Sequence, residues 1–139
     1  MQPVIVYDSN VLISGIGWRG KPFKTLELAR TGVVVGLTCP EILAEVAEKL
    51  ENKIGLPAAQ SVAAIADLAG FLQIVRVPGR LRVVAGDPDD DRVIERAVLG
   101  GATHIVTGDQ RHLLPMRSFQ GIAIVTPAEL LEFVSRNQP

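Results

Sequence analysis

The feature that most constrains this chain is an alternation of short apolar runs, each of strand length, with longer stretches of helical periodicity. Val4–Tyr7 (V-I-V-Y), Val33–Leu37, Leu72–Val77, His104–Thr107 and Ile122–Val125 are the apolar runs. Runs this short and this rich in β-branched residues predict strands buried on both faces. Between them, helices are predicted over Phe23–Arg30, from Pro40 to about Lys53, from Leu56 to about Gly70, from about Asp90 to Leu99, and after Thr126-Pro127 to about Ser135. Pro22 and Pro40 stand where a helix begins, Gly32 and Gly100-Gly101 stand past helix ends, and Thr126 is a capping residue. Within the second helix Ile42, Leu43, Val46 and Leu50 form one stripe. Strands alternating with helices predict an α/β fold with a mainly parallel sheet of about five strands and helices on both faces.

A chain of 139 residues is predicted to be a single domain, residues 1–139, burying about two-thirds of the surface its unfolded chain exposes. With 47% hydrophobic residues, 21% charged residues and a mean hydropathy of +0.28, it is not an intrinsically disordered chain. No apolar run approaches the ~20 residues a membrane-spanning helix needs. The opening Met1-Gln2-Pro3-Val4 lacks the basic-then-apolar pattern of a signal peptide, and Cys39 has no second cysteine to pair with. The expectation is a cytoplasmic protein without a membrane association. No repeat, low-complexity segment or linker interrupts it.

The acidic residues fall where such a sheet would bind a ligand, at the carboxyl ends of its strands. Asp8 directly follows the first strand, and Asp109 sits two residues past His104–Thr107. Asp87, Asp89, Asp90 and Asp91 precede a helix N-terminus, where the helix dipole favours carboxylates. Glu45 lies one turn into the helix that leaves the second strand. Of fifteen acids, setting these seven aside leaves eight against fourteen bases. A focused acidic patch on an otherwise basic surface suits a metal-dependent enzyme acting on a polyanion. Converging carboxylates repel and raise one another's pKa values unless a cation is shared between them. Oxygen ligands without accompanying Cys or His point to Mg²⁺ or Mn²⁺. Such ions activate water and stabilise a leaving oxygen in phosphodiester hydrolysis.

Each acid also has a plainer use. Asp8 in D-S-N is a suitable turn cap, as is one of the four aspartates at 87–91. Glu45 stands near Glu41 and Glu48 at helical spacing, the pattern of a solvated face, and Asp109 in T-G-D-Q suits a turn. Their coincidence at strand ends is what favours a site.

Taken in order, V-I-V-Y-D-S-N-V-L, C-P-E-I-L-A-E-V, D-P-D-D-D-R-V-I-E-R-A, H-I-V-T-G-D and I-A-I-V-T-P-A-E-L-L resemble the PIN-domain family of nucleases, in particular its toxin components of toxin–antitoxin pairs. The resemblance covers nearly the whole chain. It implies an α/β/α sandwich, a Mg²⁺- or Mn²⁺-dependent ribonuclease cutting single-stranded RNA, a homodimer, and inhibition by a small antitoxin protein. It also implies that Asp8, Glu45 and Asp109 are the first, second and fourth acidic ligands, with Asn10 and Thr107 orienting them by hydrogen bonds. For the third acid, an ungapped count back from Asp109 gives Asp91. Alignment on the helix face, with Ala97 as the packed small residue, gives Asp90 and needs one extra loop residue, which Gly100-Gly101 supplies. Asp90 is favoured, Asp91 stands close behind it, and Asp87 is an outer ligand or a turn residue. Asp89 is left to solvent. No protein nucleophile is implied, and an acid of the cluster would accept the water's proton.

Other signals carry less. Gly15-Ile16-Gly17-Trp18-Arg19-Gly20 spells G-x-G-x-x-G, but seven residues separate it from Tyr7 and the next strand ends without an acid. A dinucleotide site is therefore disfavoured, and a flexible loop is expected there, with Trp18, Arg19 and Lys21 available to touch RNA. Cys39 is expected to be a small buried hydrophobe, and His104 and His112 to be structural. Arg76, Arg80, Arg82, Arg92, Arg96, Arg111 and Arg117 are expected at the surface, some of them on substrate phosphates. A haloacid-dehalogenase-type phosphatase wants a second acid where Asn10 stands, and a receiver domain wants paired aspartates after the first strand. A non-enzymatic RNA- or partner-binding PIN-like protein is the remaining alternative. The apolar positions around Leu56–Gly70 are expected either to form an interface or to complete the core.

Overall fold

The computed structural model describes residues 2–76 and 88–137, with backbone alone for 88–92. Among the described residues six strands form one sheet: β1 (Val4–Tyr7), β2 (Val35–Thr38), β3 (Gln73–Ile74), β4 (His104–Val106), β5 (Ser118–Phe119) and β6 (Ile122–Val125). Their order across the sheet is β3-β2-β1-β4-β6-β5, all parallel except the β5–β6 pair. Among the described residues the α-helices are α1 (Ser9–Gly17), α2 (Lys21–Arg30), α3 (Pro40–Lys49), α4 (Ala58–Phe71), α5 (Pro88–Leu99) and α6 (Pro127–Arg136). A π-helical turn, Leu50–Ile54, continues α3. The α/β architecture expected from the alternation is thus present, with one strand more than expected. That strand, β5, has only two residues and pairs antiparallel across a turn at Gln120 and Gly121, both at positive φ. Two residues are too few to carry a periodicity.

β1 and β4 occupy the middle of the sheet because the chain runs outward from β1 through β2 to β3 and then returns to β4 on the other side of β1. This is a topological switch point, and the crevice outside the carboxyl ends of these two strands is where an open α/β sheet takes its ligand. The register sets Tyr7 beside Val106, so the residues after each strand, Asp8 and Thr107, emerge side by side. Ile5, Val6, Tyr7, Ile105 and Val106 are wholly buried. The Tyr7 hydroxyl, buried with its ring, donates to the Thr25 carbonyl oxygen at 2.7 Å. α5 packs over β1, β2 and β4, and α1 packs against α2 and α3.

Helix α1 corrects one expectation. Gly15 and Gly17 belong to its last turn, so the segment expected as a flexible loop is helical up to Gly17. The glycine at 15 has a packing cause: a Cβ there would stand 2.3 Å from Cδ1 of Leu26, so α1 meets α2 at a distance only a hydrogen allows. Trp18, just past the helix, is 59% exposed. Helix α4 bears on another expectation. Leu68 joins the core, with Leu56, Ala64 and Ile65 packed partly buried against it, while Val62 on the outer face is 67% exposed.

Candidate active site

Asp8 ends β1 and caps α1. Its backbone is extended, its amide donates to the Val106 carbonyl at 3.0 Å, and its Oδ1 accepts the Ser9 amide at 2.7 Å. The capping use foreseen for D-S-N is therefore real, but it engages one oxygen. The other, Oδ2, accepts the Thr107 hydroxyl at 2.8 Å. Only 6% of Asp8 is exposed. Burial pushes its pKa above the usual aspartate value, Glu45 pushes it the same way, and the bonds from Thr107 and Ser9 and the charge of Arg96 pull it back. A buried carboxylate held by oriented donors, yet resisting ionisation, is stabilised by an added cation.

Thr107 links two of the expected acids. Its Oγ1 donates to Asp8 and accepts the Asp109 amide at 2.9 Å, and the residue is wholly buried. Asp109 also builds the turn after β4, Oδ1 accepting the amides of Arg111 at 3.0 Å and His112 at 3.2 Å. Its Oδ2 lies 3.6 Å from Nδ1 of His112. His112, expected to be structural, thus stands against an acid of the site.

Glu45 enters from α3. Its Oε1 accepts the Ser9 hydroxyl at 3.0 Å and the Lys49 ammonium at 3.2 Å. Among the described residues Oε2 accepts no hydrogen bond, and the side chain retains 21% exposure. Ser9 therefore bridges Asp8 and Glu45, its amide on one carboxylate and its hydroxyl on the other. The orienting part expected of Asn10 is filled here by its neighbour: Asn10 is exposed and bonds to neither carboxylate. At a helix N-terminus the cap and the residue after it face different directions by about 100° per residue, and one-dimensional motif reading does not separate them. Asp87 lies outside the described residues, as do the side chains of Asp89, Asp90 and Asp91, although 88–91 begin α5.

Arg96 departs most from expectation. Expected at the surface, it is wholly buried, its guanidinium donating to the Cys39 sulfur at 3.1 Å and the Tyr7 carbonyl at 3.3 Å. The signal that could have found it is periodicity, because Arg96 stands three residues after Val93 on the stripe that Ile94 and Ala97 share. Cys39 is buried as expected. His104 is buried too, its ring 4.5 Å from that of Phe133, and burial lowers its pKa.

The donor chemistry fits a hard divalent ion: carboxylate oxygens from three segments, one of them buried and pre-oriented. Among the described residues, however, no three acids, histidines or cysteines gather closely enough to hold an ion by themselves. A complete cage needs a further ligand, and α5 begins with the aspartates from which one was expected.

The fold and this edge define a class: a mainly parallel α/β domain with carboxylates at the switch point of its sheet. Residues 4–111 match the family model of the PIN domain, and the chain belongs to that family. In fold it is similar to a chain in the crystal structure of VapBC2 from Rickettsia felis bound to a DNA fragment from their promoter, with a TM-score of 0.64 over 88% of this chain and 98% of that one, at 15% identity. No curated protein matches it. Among the described residues no helix is long and apolar enough to cross a membrane.

Proposed function

We propose that the protein is a Mg²⁺- or Mn²⁺-dependent endoribonuclease that hydrolyses phosphodiester bonds of single-stranded RNA, acting in the cytoplasm as the toxin of a toxin–antitoxin pair. The observation that carries the catalytic part is the Asp8–Thr107–Asp109 relay at the switch point, with Ser9 tying Glu45 to the same carboxylate. Membership of the PIN-domain family supports the nuclease class. Likeness to a VapBC2 structure supports the pairing with an antitoxin protein. The exposed apolar face of α4 is the surface offered for a homodimer.

In this reading Asp8, Glu45, Asp109 and Asp90 hold the metal, with Asp91 as the alternative to Asp90 and Asp87 as an outer ligand. A divalent ion held by these residues would lower the pKa of water and offset charge on the phosphate. The chain's own residues do the positioning. Ser9 and Thr107 fix the two oxygens of Asp8 and leave a lone pair of each available, and Ser9 and Lys49 hold Oε1 of Glu45 so that Oε2 turns free.

Cleavage of a labelled single-stranded RNA with Mn²⁺, Mg²⁺ or no metal tests this, with an identically purified, folded Asp8→Asn protein beside it. Metal-dependent cutting that Asp8→Asn lacks is the expected result, followed by loss in Asp90→Asn exceeding that in Asp91→Asn. Equal cutting by both proteins would reveal a contaminant. No cutting across several RNAs and metals would turn the reading to the catalytically weak RNA- or partner-binding alternative.

A further inference from the structure

A fully buried arginine is among the most costly groups a core can hold unless its charge is answered, and Arg96 is not answered by direct pairing. Among the described residues no carboxylate lies within ion-pair distance, and its Nε has no hydrogen-bond partner. What it does touch is specific. Tyr7 is the last residue of β1, immediately before Asp8, and Cys39 is the N-cap residue of α3, the helix that carries Glu45. One guanidinium therefore spans the carboxyl ends of β1 and β2 and fixes the two segments that deliver the first two acids. Burial works against its charge, the contact with Cys39 does most to answer it, and Asp8 and Glu41 support it through space; Oε2 of Glu41 is buried and, among the described residues, has no hydrogen-bond partner. Arginine and acids depend on each other here: the acids make the cation tolerable, and the cation favours ionised Asp8.

We propose that Arg96 acts on the acid site as a permanent internal cation, held beneath the ends of β1 and β2, that limits how tightly the site holds a divalent ion. The inference rests on the reading of Asp8, Glu45 and Asp109 as metal ligands. It follows from charge: a divalent ion entering beside Asp8 meets a positive charge that cannot move away or be screened by water, so part of the attraction of the carboxylates is offset before the ion arrives. The site would then bind metal weakly and reversibly and remain electrostatically tolerable without it.

Mn²⁺ binding, measured by calorimetry on metal-free protein, tests this without recourse to activity. Wild type is expected to bind in a saturable manner that Asp8→Asn abolishes. If it does not, the reading of the acids as ligands fails first, whatever Arg96 does. Given that binding, folded Arg96→Met and Arg96→Gln are expected to bind Mn²⁺ about tenfold more tightly, the order expected of one charge inside a protein. Arg96→Lys, which keeps the charge, is expected to stay within about twofold of wild type. Unchanged or weaker binding in both folded neutral variants would overturn the proposal. So would failure of both neutral variants to fold while Arg96→Lys folds and binds Mn²⁺ as wild type does, because the cation would then serve the fold alone.

Discussion

The Thr107 hydroxyl donates to Oδ2 of Asp8 and accepts the amide of Asp109, so a single side-chain oxygen sets the position of two carboxylates 101 residues apart in the chain. Thr107→Val preserves shape and removes both bonds. Each neutral or charge-assisted hydrogen bond lost contributes about 1–3 kcal/mol, but Asp8 relieved of burial strain can turn, so a fall in stability of about 1–2 kcal/mol is expected in denaturant unfolding. Metal-dependent cleavage is expected to fall about 10–100-fold, the usual effect of removing a group that orients a ligand. Thr107→Ser, which keeps the hydroxyl, is expected to recover most of the activity.

Ser9 and Asn10 separate the roles of adjacent residues. Ser9→Ala releases Glu45 from its bond to the bridge and is expected to weaken Mn²⁺ binding about tenfold. Asn10→Ala, at an exposed position, is expected to change it less than about twofold. Titration of both variants with Mn²⁺ checks the contrast, and a larger effect at Asn10 would return the orienting role to it.

The burial of Asp8 makes stability depend on pH in a direction that can be checked. Its folded pKa is raised above the unfolded value, so the native state holds the proton more tightly than the unfolded chain. The corresponding stability is fully present below the ordinary aspartate pKa and is lost as pH rises through the folded value. Asp8→Asn, which keeps the capping oxygen, is therefore expected to melt higher than wild type at neutral pH, with the gain disappearing in acid. Mn²⁺ is expected to raise the melting temperature of wild type alone.

Gly15 and Gly17 test the packing of α1. Gly15→Val drives side-chain atoms into Leu26, which is itself buried, and is expected to destabilise the protein by about 1–3 kcal/mol. Gly17→Ala meets nothing within 4 Å and is expected to be neutral or stabilising by up to about 1 kcal/mol. Thermal melts of the pair distinguish a packed helix from a flexible loop, in which both changes would be mild.

The strand–helix alternation was legible because each buried strand is a local hydrophobic pattern and each helix end carries its own proline, glycine or capping residue. Val4–Tyr7 and Ile122–Val125 have the bounds their sequence predicts, and the helix at Pro40 begins where its proline stands. Asp8 and Asp109 were findable for the same reason, since strand ends can be read locally and a parallel sheet brings those ends to one edge, whereas Thr107 came from the family resemblance. Local pattern failed at α1, where two glycines read as a loop although the cause of Gly15 is Leu26, eleven residues away.

By itself, then, the sequence determined most of the elements, their mainly parallel arrangement and the sheet edge at which Asp8 and Asp109 emerge, because hydrophobic period and end signals act over a few residues. Only the tertiary structure decided which side chains meet there. It chose Ser9 over Asn10 as the bridge to Glu45, made Thr107 the shared partner of two acids, and turned Arg96 from the expected surface into the core beneath Asp8. Those outcomes depend on the rotation of α1 and α5 against the sheet and on the β1–β4 register, which are fixed by packing between segments far apart in the chain.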